Sequence, residues 1–265
     1  MNEIQSESEK PLREILYGRN AVRESLQAGR REFYKVILAE GIRQTDVIGQ
    51  IVFLAQQAGV PVIHTERDEL DRLGNIHHQG VVLEASEYPY VALDDILDRM
   101  ESRGGVRSEQ APLLLLLDLL QDPQNVGSLL RTAEVVGVQG IVIQRRRAVG
   151  ITPTVVHASS GAVEYLQVAQ VTNLVNAMAK LKEHDVWVAG LEAVREAQPY
   201  HQADLRGSLA VVVGSEGKGM RRLVRERCDF LVRLPMQGQV TSLNASVAGS
   251  IVLYEAWRQR ETSGR

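Results

Sequence analysis

The second half of the chain contains four short apolar runs that lack polar alternation. They are LLLLLD (113–118), GIVIQ (140–144), VWVAGL (186–191) and LAVVVG (209–214). Such runs are typical of strands buried on both faces, as in a parallel sheet covered by helices. Helical patterns lie between and after them, at 126–136, 173–184, 220–227 and 244–259, and a further strand is predicted at 230–234. The pattern predicts a mostly parallel α/β domain over 113–265.

The first third of the chain has a weaker version of the same alternation. It predicts helices at 20–27 and 45–58, stopped by Gly29 and Gly59, and strands at 33–39, 60–64 and 80–85. We therefore expect a small α/β domain over 14–85. Residues 1–13 are polar and acidic and are expected to form a disordered tail. Residues 86–112 are rich in turn-forming and charged residues, and we interpret them as a linker with one possible short helix at 93–100.

Composition narrows the class of protein. The longest apolar run, 113–117, is too short to cross a membrane, and the start of the chain has no apolar core typical of a signal peptide. The single cysteine, Cys228, excludes an internal disulfide and a cysteine-based metal site. We expect a cytoplasmic protein without a metal. Because the net charge is −3, any binding of nucleic acid must come from local basic patches.

A first polar cluster follows the first apolar run, within 117–138. Asn125 stands where an N-cap is expected, ahead of an apolar stripe at helical spacing. Gly127 and Arg131 are four residues apart on another face, so Arg131 projects over a position without a side chain. Periodicity alone favours a capped amphipathic helix with one solvated arginine.

A second cluster, 211–222, leads from a buried strand into a loop with three glycines, Gly214, Gly217 and Gly219. Glycines allow tight turns and close backbone contact with a ligand, although a plain strand-to-helix turn would use them too. The phosphate-loop pattern is not met, because Lys218 is followed by glycine. Glu216 would repel a phosphate, which favours a polar or cationic ligand.

A third cluster, 234–249, is uncharged and rich in small residues. Ser242 and Asn244 could bind a ligand or cap the helix that follows. The small residues could equally serve close helix packing.

In this order the three clusters resemble the motifs of the SpoU family of RNA ribose 2′-O-methyltransferases. The motifs read N-x-G-x-x-x-R at 125–131, G-x-E-G-x-G at 214–219 and S-L-N-x-S at 242–246. The segment LYGRNAVRESLQAG (16–29) resembles the start of the small RNA-binding domain of the TrmH and RlmB branch. The resemblance implies an α/β fold whose mostly parallel C-terminal sheet carries a deep trefoil knot, preceded by a small α/β RNA-binding domain.

The resemblance also implies S-adenosylmethionine as cofactor, bound in the knot, and a homodimer with the knot region in its interface. The helix over 244–259 suits that interface. Carried over by motif, the catalytic residues are Arg131, Asn125, Glu216, Ser242 and Asn244, and the cofactor-binding residues are Gly214, Leu234, Leu243, Gly217, Gly219 and Met236. We assign Asn125 and Glu216 to holding Arg131 and the backbone around it, and Ser242 and Asn244 to orienting the ribose, the cofactor or both. Arg131 would act electrostatically, because a guanidinium is a poor base.

The candidate RNA contacts are arginines. They are Arg19, Arg23, Arg30 and Arg31 in the small domain, Arg145, Arg146 and Arg147 after the strand at 140–144, and Arg221, Arg222 and Arg225 near the second motif. Any one of them could be an ordinary solvated arginine. Aromatic residues make up only 5% of the chain, which favours recognition of phosphates and shape over base stacking.

The resemblance to the RlmB branch implies 2′-O-methylation of a guanosine in the peptidyl-transferase loop of 23S ribosomal RNA. Three alternatives stay open. One is a transfer-RNA guanosine methyltransferase, although that branch tends to lack a separate small domain. The others are an adenosine methyltransferase of the thiostrepton-resistance type and a non-catalytic RNA-binding or ribosome-assembly protein.

Overall fold

The structure is a computed structural model that describes residues 12–102, 111–239 and 242–263. The chain divides into two compact units, Met1–Pro89 and Tyr90–Arg265. Of the predicted tail, residues 1–11 lie outside the described residues, and Arg13 already belongs to a strand.

The first unit contains a four-stranded sheet with three helices. Its strands are β1 (Arg13–Tyr17), β2 (Phe33–Ala39), β3 (Val62–Thr65) and β4 (Val81–Ser86), and its helices are α1 (Arg19–Ala28), α2 (Asp46–Gln57) and α3 (Arg67–Asp71). The strand order is β1-β4-β2-β3, with β4 antiparallel to both of its neighbours and β2 parallel to β3. The predicted elements of this unit are confirmed, and the sequence pattern missed β1 and α3.

The second unit is built around a seven-stranded sheet. Its strands are β5 (Leu113–Asp118), β6 (Gly140–Gln144), β7 (Val168–Val171), β8 (Trp187–Leu191), β9 (Gln198–Pro199), β10 (Leu209–Gly214) and β11 (Phe230–Arg233). The order is β7-β6-β5-β10-β8-β11-β9, and every neighbouring pair is parallel. All residues of β5, β6 and β10 are buried, which explains why these strands are apolar without alternation. The predicted parallel α/β sheet is confirmed.

Helices cover this sheet. They are α4 (Leu93–Ser102), α5 (Pro123–Val135), α6 (Pro153–Ala158), α7 (Leu174–Glu183), α8 (Arg222–Glu226) and α9 (Ala245–Ser263). Among the residues that the structure describes, no helix is long and apolar enough to cross a membrane. The trefoil knot stays a prediction.

The linker predicted at 86–112 is wrong for residues 90–102, while 103–110 lie outside the described residues. The possible helix within it is α4, and its buried Ile96, Leu97 and Met100 belong to an apolar core cluster of the second unit. Val91 also forms a bridge to Ala169 in β7. The charged residues of this segment lie on the exposed face of the amphipathic helix α4. Their number makes the segment resemble a linker in the sequence.

Candidate active site

A cavity of about 340 Å³ lies where the carboxyl ends of three adjacent parallel strands, β8, β10 and β11, meet. Crevices at this edge of an open α/β sheet are the usual place for ligands. The lining includes all six predicted cofactor residues, Gly214, Gly217, Gly219, Leu234, Met236 and Leu243, together with Ser242. Loops from the second and third motifs therefore face the same space.

The loop of the second motif is a tight turn that only glycine fits. The backbone N–H of Gly219 donates to the carbonyl of Ser215 at 2.9 Å, and Gly217 and Gly219 have φ of +73° and +64°. A Cβ on Gly214 would lie 2.4 Å from the carbonyl carbon of Gly219. A side chain at Gly214 would therefore force the turn open.

The third motif begins α9 with a capping asparagine. Asn244 Oδ1 accepts from the backbone N–H of Ser246 at 2.9 Å and of Val247 at 3.2 Å, which satisfies two donors at the helix start. The capping alternative for Asn244 is thus confirmed. Its Nδ2 group stays available for other contacts.

The three motifs meet in a hydrogen-bonded trio, which we define as Asn125, Glu216 and Asn244. Asn125 Nδ2 donates to Glu216 Oε1 at 2.7 Å. Asn244 Nδ2 donates to the same oxygen at 2.6 Å and to Asn125 Oδ1 at 2.7 Å. Ser246 Oγ donates to Asn244 Oδ1 at 2.6 Å. Glu216 and Asn244 are both surface groups, yet the two amides fix the carboxylate beside the cavity.

Asn125 is free for the trio because it is not the N-cap of α5, and that prediction is wrong. The cap is Asp122, whose Oδ1 accepts from the backbone N–H of Gln124 at 3.1 Å, and Pro123 opens the helix. Proline is favoured at that first position, since no N–H is needed there. Asn125 then lies in the first turn, with its side chain turned toward Glu216.

Arg131 does not contact the trio in the part of the chain that the structure describes. Its Nη1 donates to Ser160 Oγ at 3.2 Å. The space beside Gly127 is filled, because a Cβ there would lie 2.4 Å from the Cβ of Ala158. The close approach of α5 to the turn after α6 brings Ser160 to Arg131. The predicted direct contact of Asn125 and Glu216 with the Arg131 side chain is therefore wrong, while their hold on the surrounding backbone stays a prediction.

Two carboxylates that the motifs did not flag also shape the site. Glu192 lines the cavity and accepts from the backbone N–H of Met220 at 3.1 Å. Asp118, at the buried end of β5, accepts from Arg221 Nε at 2.8 Å and from the Arg221 backbone N–H at 2.7 Å. The Asp118 contact holds the end of the second-motif loop against the strand before the first motif. The position of both residues at the carboxyl end of a buried strand is the signal that could have found them.

The small-domain arginines differ in exposure. Arg31 is wrong as an RNA contact, because none of its side chain is exposed and its Nη1 pairs with Glu14 Oε2 at 2.5 Å. Arg30 is half-buried and donates to the Tyr88 hydroxyl at 3.3 Å. Arg19 donates to the carbonyl of Gln79, and Arg23 pairs with its neighbour Glu24. Arg19, Arg23 and Arg30 are only partly buried, so a contact of each with RNA stays a prediction.

Arg145, Arg146 and Arg147 are exposed in the turn after β6, in the second unit. Arg221 is engaged by Asp118, and Arg222 pairs with Glu226 at 2.7 Å. Arg225 is exposed as well. The three arginines after β6 are adjacent and all exposed, which makes them the clearest candidates for phosphate contacts.

A metal site and a cysteine nucleophile would each need suitable side chains among the described residues. Across residues 12–102, 111–239 and 242–263, no group of three acidic, histidine or cysteine side chains could hold a metal ion. Burial raises the pKa of Cys228 to about 12, so its thiol stays protonated near neutral pH. Cys228 is thus no candidate nucleophile.

Two family models match the chain. The SpoU rRNA methylase family covers residues 112–254, and the RNA 2′-O ribose methyltransferase substrate-binding model covers residues 15–91. The chain is 44% identical over 251 residues to YacO of Bacillus subtilis, which is named as a TrmH family tRNA/rRNA methyltransferase. That match spans 95% of this chain and 98% of the relative.

Solved structures of similar fold span nearly the whole chain. The SpoU methyltransferase AviRb from Streptomyces viridochromogenes, in complex with AdoMet, gives a TM-score of 0.76 at 21% identity, covering 94% of this chain and 91% of its own. An RNA 2′-O ribose methyltransferase gives 0.73 at 26% identity, covering 94% and 89%. With the family models and the relative in agreement, the chain belongs to the SpoU rRNA methylase family.

Proposed function

We propose that this chain transfers a methyl group from S-adenosylmethionine to a ribose 2′-hydroxyl of RNA. The observation that carries the proposal is the trio of Asn125, Glu216 and Asn244, one residue from each motif, beside the cavity at the strand ends. The trio and cavity together provide a fixed polar wall next to a space for a small ligand. The AdoMet complex of AviRb and the matching SpoU family model support the choice of cofactor and reaction.

The residues present fit the cofactor. The cavity has a size typical of small-molecule sites, and its glycine-built turn lets a ligand reach backbone groups closely. Its lining carries two carboxylates, Glu192 and Glu216, against one ammonium, Lys218. This excess of negative charge complements a sulfonium. When bound, S-adenosylmethionine supplies an electrophilic methyl group. The residues to hold it are those of the cavity lining, with Gly214, Leu234 and Leu243 acting through their backbones.

The side chains of the trio can orient the acceptor. Glu216 Oε1 already accepts from both amides, and its second oxygen has acceptor capacity for a ribose hydroxyl. A preorganised carboxylate of this kind restricts the direction in which the hydroxyl presents its oxygen. Ser242, on the cavity lining, can orient the cofactor. Arg131 is assigned to stabilising negative charge that develops on the ribose oxygen, from its place beside Ser160.

A guanosine of 23S ribosomal RNA is the proposed target, in the peptidyl-transferase loop. The substrate-binding unit supports a ribosomal target over the transfer-RNA branch, which tends to lack a separate small domain. The test supplies purified chain and S-adenosylmethionine with total ribosomal or total transfer RNA from a strain that lacks this gene. Mass spectrometry of the digested RNA should find a new 2′-O-methylnucleoside in ribosomal RNA only. New methylation confined to transfer RNA would contradict the target, and none in either RNA would contradict the activity. Glu216→Ala is the matched inactive control.

We further propose a homodimer formed through α9. This helix buries Val252, Leu253 and Ala256 inside its own unit but leaves Val247, Tyr254 and Trp257 at 48%, 47% and 42% exposure. Exposed apolar side chains along one helix are typical of an interface between chains. Sedimentation at micromolar concentration should show a species of twice 29.4 kDa, and Trp257→Glu should shift it to the monomer. A wild-type chain that sediments only as a monomer would contradict the dimer.

A further inference from the structure

A second cavity of about 310 Å³ borders the second-motif loop. Its lining is Leu119, Leu120, Gln121, Asp122, Asn125, Ser215, Glu216 and Lys218. Ser215, Glu216 and Lys218 also line the larger cavity, so the loop is a partition between the two spaces. We propose that this second cavity holds the base of the target nucleotide and that Asp122 reads it as guanine.

The placement of the trio leads to this inference, which rests on the proposed function. An acceptor hydroxyl must meet the methyl donor at the partition, and Glu216 lies there, fixed by two amides. Asn125 belongs to the second cavity but not to the larger one. With the larger cavity assigned to the cofactor, the Asn125 side is left for the nucleotide that carries the hydroxyl.

The chemistry of the lining suits a purine base. Leu119, which is half-buried, provides apolar surface for the face of a ring. Glu216 in the lining is assigned to the ribose hydroxyl, so Asp122 and Lys218 bring one carboxylate and one ammonium to the edges of the base. Asp122 Oδ1 caps the backbone N–H of Gln124 at 3.1 Å. A carboxylate has about four acceptor sites, so both Asp122 oxygens can still accept from a ligand.

Guanine matches this pair of charges better than the other bases. Its Watson–Crick edge presents two adjacent donors, N1–H and the N2 amino group, to the two oxygens of one carboxylate. Its O6 and N7 acceptors suit an ammonium such as that of Lys218. Adenine and cytosine each place an acceptor next to their amino group, and uracil has a single donor between two acceptors. An unpaired acceptor facing the carboxylate would be repelled.

The turn that carries Arg145, Arg146 and Arg147, which we call the arginine turn, flanks the same cavity. A nucleotide within an RNA chain has phosphates on both sides, so its site needs positive charge nearby. Gln121 Nε2 donates to the carbonyl of Arg147 at 3.1 Å, and the backbone N–H of Val149 donates to the carbonyl of Leu120 at 3.0 Å. These two bonds hold the exposed Arg145, Arg146 and Arg147 beside the cavity wall. Phosphates on either side of the base would then meet positive charge while the base enters the cavity.

The test compares wild type with two substitutions that preserve the helix cap. Asp122→Asn and Asp122→Ser both keep a good N-cap, so α5 should fold in each. The asparagine side chain has one acceptor next to one donor, which complements an edge of adenine. Serine has no pair of oxygens that could accept from the two donors of guanine. Asp98→Asn, on the exposed face of α4, is the charge-matched control. Each protein is incubated with S-adenosylmethionine and total RNA from the gene-deletion strain, and the 2′-O-methylnucleosides are identified by mass spectrometry.

Wild type and Asp98→Asn should yield 2′-O-methylguanosine. Asp122→Asn should lose about tenfold to a hundredfold of that product and gain 2′-O-methyladenosine, and Asp122→Ser should show the loss without the gain. A folding defect alone would lower the rate of methylation without changing which base carries the methylated ribose. Wild-type methylation of another base, or unchanged guanosine methylation by Asp122→Asn, would overturn this inference and leave the proposed function intact. No 2′-O-methylnucleoside with any protein would overturn the proposed function itself.

Discussion

Asn125 is bonded to both other members of the trio, since it donates to Glu216 and accepts from Asn244. Asn125→Ala removes both bonds without changing the lining of the larger cavity. Hydrogen bonds to a charged group contribute about 1.5–3 kcal/mol, so the single-turnover rate should fall roughly tenfold to a hundredfold. The affinity for S-adenosylmethionine, measured by calorimetry, should change less than the rate. Ser128→Ala, an exposed position on the same helix, is the control. Equal losses of rate and affinity would point instead to a damaged fold.

Arg131 carries a second prediction, because the structure gives it one partner and an exposed position. Arg131→Lys keeps the charge but loses the planar fork that can grip a phosphate while facing the ribose oxygen. We expect a loss on the order of a hundredfold in single-turnover rate, with cofactor affinity nearly unchanged. A near-normal rate that rises at alkaline pH would support a base role instead. An intact rate in Arg131→Ala would remove this residue from the mechanism altogether.

The sequence identified individual residues where a motif named them and missed those defined by geometry. The motifs pointed to Asn125, Glu216 and Asn244, but the bonds among them join residues as far as 119 positions apart and are invisible to local pattern. The sequence pattern predicts Asn125 as the N-cap because asparagine and aspartate cap equally well, although the proline after Asp122 favours Asp122. The sequence could not show that Arg31 is buried, because its partner Glu14 lies 17 residues away.

The contact between α5 and α6 depends on Gly127. An alanine Cβ there would lie 2.4 Å from the Ala158 Cβ and 2.9 Å from the Ser159 nitrogen, so the two helices would have to separate. Overpacking of this kind costs about 1–3 kcal/mol, and Gly127→Ala should lower the free energy of unfolding by that amount. Both tryptophans of the chain, Trp187 and Trp257, lie in the second unit, so urea unfolding followed by fluorescence reports on it.

Gly207→Ala is the control for that measurement, because no heavy atom lies within 4 Å of its added Cβ. We expect a change within about 0.5 kcal/mol there. Similar losses at both positions would mean that the α5–α6 contact is not tight. Since the same contact brings Ser160 to Arg131, the rate of Gly127→Ala should also fall.

Strands buried on both faces were the elements that sequence predicted best. The bounds of β5, β6 and β10 agree with the apolar runs, because a central parallel strand must be apolar throughout. The pattern missed β7, β9 and α6, which have four, two and six residues, too few to establish a period. The position of α4 in the core depends on contacts with distant strands, which local composition cannot show.

The charge of the molecule decides how it can bind RNA. With a net charge of −3, attraction to phosphates must come from a local patch, and the exposed Arg145, Arg146 and Arg147 next to the second cavity form one. Affinity for a fragment of ribosomal RNA that carries the methylated nucleotide should therefore fall steeply as salt rises. Each phosphate contact to a single strand contributes a slope of about −0.7 in log affinity against log salt.

Replacing all three of these arginines by glutamine should reduce that slope by about 2 and weaken binding at low salt. The measurement is filter binding between about 50 and 200 mM salt, where the counterion effect is large. Arg99, Arg206 and Arg227 are exposed elsewhere in the second unit, so replacing them by glutamine removes the same charge as a control. If the patch binds phosphates locally, the control should leave the slope unchanged, because surface charges separated by more than about 10 Å are largely screened. Equal slopes for the two triple variants would mean that RNA binding depends only on the net charge of the protein. Arg145, Arg146 and Arg147 would then have no specific role in phosphate contact.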